Sequence, residues 1–425
     1  MFLLNVGGKW TLATEVEEVK GAVFLAEKNG NVRFTRKASP ELSRVLIDPQ
    51  LYLAGLDRTK CGKACGRLAT HPWFQVPDLP EFDSGVGVRD WQKEVERIAG
   101  AKWPGRPPDG AAIEPACRSA VECQLGFGCT HVILPAPLIR DREEEGTTLA
   151  AWLDAGLAVA AELEVGQPLL ATVALSDATL NEDAFRPAGF LDSLVDHVTA
   201  REGLAGVYIV IAQAGVGVHP FQLPEPVRRA YLHLSKAFRD GGVEMIVVNF
   251  ADVFGFACAA VGATDVASGP SQSTRRLNLN AFRDEQFGIA VPQYYSHRVI
   301  GEFKTETDLN RLVGAKLLRR VADGTPYSED LLEAFREGRT AADLPPWAES
   351  QNNLGAAQRH LVSRLATEGA KFRKLTLAKR EILVRDWLED AEAGVLYLRK
   401  RLNAPVIGTT APAASWLEQL DAVLG

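Results

Sequence analysis

The sequence predicts an α/β protein, a (β/α)8 (TIM) barrel with an irregular insertion and a helical C-terminal extension. Short, wholly apolar segments alternate with longer segments whose apolar residues recur every three or four positions, which is typical of parallel βα units. The short segments are apolar throughout, as expected for parallel strands that are buried on both faces. Eight of them can be counted, centred near residues 23, 46, 132, 171, 209, 247, 266 and 294. We therefore predict that residues 1–320 form the barrel and that residues 321–425 form the helical extension.

Turn residues and amino-acid composition indicate the structure of the first part of the chain. Gly7-Gly8 and Asn29-Gly30 are turn signals, and because Asn-Gly favours tight hairpins we expect a hairpin in the N-terminal region. Asp48 ends an apolar segment and precedes a proline, so its carboxylate should either enter the barrel mouth or cap the following backbone amides. Residues 55–110 are irregular and rich in Pro, Gly and Trp, which indicates a long insertion packed over the barrel.

The clearest alternation of strands and helices spans residues 205–276, and polar residues stand where its strands end. Active sites of parallel α/β folds lie at the carboxyl ends of the strands. We therefore expect one shared site to contain Gln213, Asn249, Asp252, Ser268 and Gln272. The alternative is that these residues end the strands only because loops are solvated.

Segments of this region resemble a known family. Residues 211–215 (IAQAG) resemble the strand-end glutamine and glycines that hold the base in tRNA-guanine transglycosylases, the queuine and archaeosine tRNA-ribosyltransferase superfamily. Residues 262–268 (GATDVAS), with arginines a few residues on, resemble the segment that ends in the family's catalytic aspartate, and residues 83–85 (DSG) resemble its active-site turn. The resemblance implies a transferase that binds guanine or a 7-deazaguanine, with Ser268 in the place of the nucleophile.

Base exchange, which the resemblance implies, breaks an N-glycosidic bond through an electron-poor sugar carbon. A carboxylate can capture that carbon covalently, so that two displacements preserve the stereochemistry. Because a serine is a poor nucleophile without a base beside it, we predict Asp252 or Asp48 as the catalytic carboxylate. The predicted base-binding residues are Gln213, Gly215, Asn249, Ser268 and Asp83. No cofactor is predicted, and the substrate is expected to be a nucleic acid or another molecule that carries the base.

Two other functions fit the same sequence. The loop 268–276 contains Ser, Gly and Arg donors after a late strand, so it could bind phosphate in a barrel enzyme of flavin or phosphosugar chemistry. Its predicted phosphate or nucleic-acid contacts are Gln272, Arg275 and Arg276. In the third interpretation the barrel is catalytically inactive and acts as a binding subunit.

The helical tail is locally basic. Residues 358–402 contain eleven Lys or Arg and six Asp or Glu. Such a charge run is usually a solvated helix face, but it could also contact RNA, DNA or an acidic protein.

Composition and cysteine usage exclude several classes of protein. The formal net charge of −7 argues against a general polyanion binder. No apolar run approaches the roughly 20 residues of a membrane helix, and the N-terminus lacks the basic flank of a signal peptide, so we expect a soluble, cytoplasmic protein with no membrane partner. The six cysteines do not have zinc-site spacings, and none follows Cys258, so the family's zinc cluster is absent and no metal site is predicted. A site using Cys129 and His131 is the alternative.

Overall fold

A computed structural model describes residues 1–7, 10–30, 33–34, 40–79, 88–142, 145–213, 221, 223–285, 290–404 and 408–425, with the backbone alone for 88–92 and 145–146. Within these residues, eight parallel strands form one sheet in the order β3-β2-β1-β8-β7-β6-β5-β4. The strands are β1 Phe2–Val6, β2 Gly21–Leu25, β3 Arg44–Asp48, β4 Val132–Leu134, β5 Leu169–Ser176, β6 Leu204–Ala212, β7 Met245–Asn249 and β8 Asp265–Ser268.

The sheet is a nearly closed barrel, because its two outermost strands meet. The amide of Thr130, just before β4, donates to the carbonyl oxygen of Val45 in β3 at 2.9 Å. The amide of Val45 in turn donates to Oγ1 of Thr130 at 3.0 Å. The (β/α)8 barrel that the sequence predicts is therefore confirmed.

The structure corrects the predicted set of strands in two places. Phe2–Val6 is the first barrel strand, and it pairs in parallel with β2, so these two strands do not form the expected hairpin. The segment near residue 294 is not a barrel strand. It forms β9 Gln293–Ser296, which pairs antiparallel with β10 Gly301–Lys304 and lies in a separate sheet with β11 Thr409–Thr410. Tyr294 and Tyr295 are as buried as barrel residues, so hydrophobicity alone does not separate the two kinds of strand.

Helices alternate with the barrel strands and also fill the insertion. They are α1 Leu12–Glu15, α2 Gly62–Ala69, α3 Val88–Ala101, α4 Ile113–Phe127, α5 Ala150–Glu162, α6 Phe190–Thr199, α7 Glu225–Asp240, α8 Gly255–Val261 and α9 Gln272–Arg275. The insertion contributes α2 and α3, and its tryptophans anchor it. Nε1 of Trp73 donates to the carbonyl oxygen of Pro49 at 2.9 Å, and Nε1 of Trp103 donates to that of Leu56 at 3.1 Å.

The C-terminal region is helical and packs directly on the barrel. Its helices are α10 Asn310–Gly314, α11 Leu318–Val321, α12 Glu329–Arg336, α13 Leu354–Arg373, α14 Leu377–Leu402 and α15 Ala413–Leu424. Gly369 of α13 lies so close to β1 that a Cβ atom there would be 2.6 Å from the backbone nitrogen of Phe2. The rings of Trp416 in α15 and Phe254 are 5.1 Å apart. Among the described helices, none combines the length and the apolar character that crossing a membrane requires.

Candidate functional site

A buried polar network crosses the barrel interior and centres on Asp48, the last residue of β3. Its Oδ2 accepts hydrogen bonds from the hydroxyls of Tyr52 at 2.5 Å and Tyr208 at 2.8 Å. Its Oδ1 accepts one from the backbone amide of Gln50 at 3.0 Å, so the carboxylate both points inward and caps the following chain. Burial raises the pKa of Asp48 to about 6 although these three hydrogen bonds oppose the rise. Both oxygens of Asp48 are therefore engaged.

The same network reaches the carboxyl ends of two further strands. Nδ2 of Asn249, the last residue of β7, donates to the hydroxyl of Tyr208. Nδ2 of Asn5 in β1 donates to Oδ1 of Asn249 at 2.6 Å and to the carbonyl oxygen of Thr274 at 2.7 Å. The amide of Phe250 also donates to Oδ1 of Asn249 at 2.6 Å. Asn249 is thus held by the protein itself and fixes the start of the chain that leads to Asp252.

Gln213 directly follows β6. Its backbone groups are hydrogen-bonded, whereas its side-chain polar atoms have no partner among the described residues. Its amide donates to the carbonyl oxygen of Leu277 at 2.8 Å, and its carbonyl oxygen accepts from the amide of Leu279 at 3.0 Å. The side chain is fully buried, yet neither Oε1 nor Nε2 has a hydrogen-bond partner within the described residues. Leaving such an amide unpaired costs about 1 to 3 kcal/mol for each unsatisfied group. The backbone therefore fixes an amide whose polar atoms are open to a partner.

Asp252 lies three residues after the end of β7 on a strained turn. Phe250 and Asp252 both have positive φ values, 60° and 52°. Such left-handed conformations in non-glycine residues cost about 1 kcal/mol or more and cluster at functional sites. Oδ2 of Asp252 accepts from the amide of Phe221 at 3.2 Å, whereas Oδ1 is buried and has no partner in the part of the chain that the structure describes. This turn thus presents a buried carboxylate with one open oxygen.

The segment after β8 contains three of the predicted residues, of which Arg276 pairs with the chain next to Asp252. Oγ of Ser268, at the end of β8, is buried and unpartnered among the described residues. Arg276 forms an antiparallel bridge with Ala251, and its Nη2 donates to Oε1 of Gln272 at 3.3 Å. The loop 268–276 therefore lies beside the turn that carries Asp252.

Arg275 in this loop is already neutralised. Its Nη2 contacts Oε1 of Glu302 at 2.5 Å, and both side chains are buried. Burial alone would lower the pKa of the guanidinium, but the carboxylates of Glu302 and then Asp252 raise it above its usual range. Arg275 is therefore a positive charge held between two carboxylates.

The β9–β10 sheet contributes residues that sequence reasoning did not find. Tyr295 pairs across the two strands with Glu302, and its ring lies 6.3 Å from that of Phe221. Its hydroxyl is 3.2 Å from Nδ1 of His297, whose ring stacks on Trp387 at 4.5 Å. Burial raises the pKa of Tyr295 and lowers that of His297 well below its usual value, so both are neutral near pH 7. No motif marks these residues, because their position depends on how α13 packs against β9 and how Trp387 of α14 stacks on His297.

Gly215 and Asp83 lie outside the described residues. Burial raises the pKa of the Cys65 thiol to about 12, and the other described cysteines are also shifted upward. No group of three or more His, Cys, Asp or Glu side chains within the described ranges is arranged to hold a metal ion. Nδ1 of His131 lies 3.0 Å from Oγ1 of Thr130.

Comparisons with known proteins add no family. No protein-family model matches the chain, and no curated protein matches it either. The barrel is therefore shown by the structure alone, and the likeness to tRNA-guanine transglycosylases remains a resemblance of short segments.

Proposed function

We propose that the carboxyl end of the barrel binds a planar nucleobase, guanine or a 7-deazaguanine, through the side chain of Gln213. The single observation that carries this proposal is the fully buried amide whose two polar atoms have no partner among the described residues. An amide offers an acceptor oxygen and two N–H donors, which complement the mixed donor and acceptor edge of a purine. Native proteins leave few buried polar groups unpaired, so a bound partner best accounts for this one.

We further propose that Asp252 makes the site a base-exchange enzyme. Its Oδ1 attacks the anomeric carbon of the glycoside while the C–N bond breaks, and the departing base keeps the bonding electron pair and takes up a proton from solvent. A nitrogen of the incoming base then attacks the same carbon and gives up its proton to solvent, the carbon–oxygen bond to Asp252 breaks, and the carboxylate is restored. Two such displacements retain the stereochemistry. The open Oδ1 of Asp252 supports this role.

Asp48 has a different role in this proposal. Because both of its oxygens accept hydrogen bonds, it positions Tyr208 and through it Asn249, rather than attacking the sugar. If Asp252 proves not to be the nucleophile, Asp48 is the other predicted carboxylate. Ser268 supplies a further hydrogen bond to the base or sugar through its hydroxyl, which has no partner among the described residues. Gly215 and Asp83 stay predicted base-binding residues.

The phosphate-loop alternative has less support. Arg275 is paired with Glu302, and Arg276 donates to Gln272, so the cations of this loop already have partners within the protein. Gln272, Arg275 and Arg276 stay predicted contacts for a nucleic-acid or other phosphate-bearing substrate at the rim of the site.

The test is equilibrium binding of guanine and 7-deazaguanine bases to the parent and to Gln213→Ala. We expect the variant to bind about 5- to 150-fold more weakly, because 1 to 3 kcal/mol of hydrogen bonding is lost. Binding without any exchange of labelled base would support the inactive-subunit interpretation. If the parent binds neither base, the proposed function is wrong.

A further inference from the structure

A cavity of about 450 Å³ lies at the opposite end of the barrel from Gln213 and Asp252. It is lined by residues that begin strands, among them Arg44 of β3 and Asp265 of β8, and by Arg373 and Arg380 at the turn between α13 and α14. Its volume falls within the roughly 300–1,000 Å³ that is usual for small-molecule sites. The cavity therefore has room for a ligand that is unrelated to the proposed base site.

The cavity wall is cationic. Three arginines face two carboxylates, those of Glu244 and Asp265. Asp265 is already neutralised by Arg44, with the Oδ2 to Nη1 distance at 2.5 Å. Glu244 is exposed and forms no ion pair within the described residues. Arg373 and Arg380 thus outweigh the one carboxylate that is not already paired.

The basic tail divides into neutralised and open cations, and one group of open cations lies here. In α13, Arg364 pairs with Asp323 and Glu368, and Lys371 also pairs with Glu368. By contrast, residues 373–380 contain four cations and no acidic residue. Of these, Arg373, Lys374 and Lys379 are exposed and take part in no ion pair among the residues that the structure describes. The uncompensated charge of the tail therefore lies in two places, this turn and residues 399–401 at the end of α14.

Arg380 in this turn is held in a fixed orientation. Its Nε donates to the carbonyl oxygens of Phe372 at 2.9 Å and Leu375 at 3.2 Å, and its Nη1 donates to that of Ala263 at 3.4 Å. No hydrogen bond of the described residues uses its Nη2, which leaves that end of the guanidinium for a ligand. A guanidinium whose geometry is already fixed loses little entropy when it binds an oxyanion.

We propose that this cavity and the adjoining turn bind a phosphate group through Arg373 and Arg380, with Lys374 and Lys379 extending the contact. Phosphate oxygens are the preferred partners of clustered arginines and lysines. The group belongs either to a free nucleotide or to a nucleic-acid backbone. The site is independent of the base site, because Ala205 at the cavity and Gln213 lie eight residues apart on one extended strand. At 3.3 Å per residue that is about 26 Å.

The test is a titration of the full chain with inorganic phosphate, a nucleoside monophosphate and a labelled single-stranded RNA. The parent should bind at least one probe. Arg373→Ala should weaken that binding several-fold, and for RNA it should lower the slope of log K against log salt by about 1. Arg319→Ala, which removes an exposed arginine of α11, is the matched control and should bind like the parent.

The probes distinguish the two sources of phosphate. Binding of RNA alone assigns the site to a nucleic-acid backbone, whereas binding of the nucleotide in competition with RNA assigns it to the free molecule. Gln213→Ala should leave either interaction intact, so failure of the base site does not affect this result. Absence of binding to all three probes at about 1 mM would overturn the proposal, as would parental affinity in both Arg373→Ala and Lys379→Ala.

Discussion

The two ends of the barrel differ in how they treat polar groups. At the carboxyl end Gln213, Asp252 and Ser268 are at most 1% exposed, and their side chains retain polar atoms without partners among the described residues. At the amino end Arg373 and its neighbours are exposed, solvated and charged. Buried unpaired groups are stabilised when a ligand supplies hydrogen bonds of the right geometry. Solvated charges are stabilised only by Coulomb attraction to a ligand of opposite charge. This difference underlies the two proposals, selection of one base at the first end and attraction of phosphate at the second.

The largest expected effect concerns the proposed nucleophile. Asp252→Asn should lower the rate of labelled-base exchange by about 10³-fold or more, because loss of a nucleophile removes the covalent route. Base affinity should change far less, since Gln213 is untouched. Exchange by Asp252→Asn at the parental rate would remove Asp252 from the mechanism. Asp48→Asn would then be the next variant to assay.

The second effect separates a buried amide that is satisfied from one that is not. Nε2 of Gln124 in α4 donates to the carbonyl oxygens of Ala120 at 3.1 Å and Ile133 at 2.9 Å, and its Oε1 accepts from the amide of Ile133 at 2.8 Å. Gln124→Leu should lower the free energy of unfolding by about 2 to 4 kcal/mol. Gln213→Leu should lower it by less than about 1 kcal/mol, because no side-chain hydrogen bond among the described residues is lost.

Urea denaturation of both variants provides the measurement. Equal destabilisation by Gln124→Leu and Gln213→Leu would mean that Gln213 does have a partner in the free protein. The carboxyl end would then lose the feature that distinguishes it from the amino end.

The third effect is a pH dependence of the free energy of unfolding, which originates at Asp48. Its pKa of about 6 in the folded protein lies above the usual carboxyl value of 3.8, so the folded state binds the proton more tightly than the unfolded state. The stabilisation is therefore fully present below about pH 4 and is lost as the pH rises through 6. A pKa difference of about two units between the folded and unfolded states corresponds to about 3 kcal/mol of unfolding free energy.

Asp48→Asn removes this contribution. Unfolding free energies measured between about pH 4 and 7 should fall more steeply for the parent than for the variant. Parallel curves would show that the carboxyl group is not desolvated as the structure places it.

The smallest effect is a difference in salt response between the two ends. Raising the salt concentration from about 50 to 200 mM should weaken phosphate or RNA binding at the amino end by an order of magnitude for a few contacts. Base binding at the carboxyl end should change by less than about twofold, because buried neutral hydrogen bonds are little screened. Calorimetric titrations at both salt concentrations compare them. A base affinity that falls with salt as steeply as the RNA affinity would contradict the proposed difference between the two ends of the barrel.

Sequence reasoning succeeded where local pattern and position agree. Strands β6 and β7 are long apolar runs that give way to polar residues, and β8 has the shorter apolar pair Val266-Ala267 before Ser268. The structure places Gln213, Asn249 and Ser268 at those ends. It failed for β1 and β9 because hydrophobicity does not encode the pairing partner. Phe2–Val6 has neighbours on both sides in the barrel, whereas Gln293–Ser296 pairs with Gly301–Lys304 in a separate antiparallel sheet.

The remaining features of both sites arise from tertiary packing. Tyr295 lies near Phe221, and Glu302 pairs with Arg275, because the second sheet packs there. No local sequence pattern predicts this packing. In the sequence, the basic tail is a single run of charged residues. Only the contacts in the structure show that Arg364 is neutralised while residues 373–380 are not.

The most direct test of the central claim is a thermodynamic cycle between the Gln213 amide and the edge of the base. Guanine and unsubstituted purine, which lacks the exocyclic groups of guanine, are titrated into the parent and into Gln213→Ala. Hydrogen bonding by the amide predicts that the parent prefers guanine and that most of this preference disappears in the variant, a coupling of about 1 to 3 kcal/mol. The same guanine-to-purine ratio in both proteins would show that the buried amide of Gln213 does not read the base.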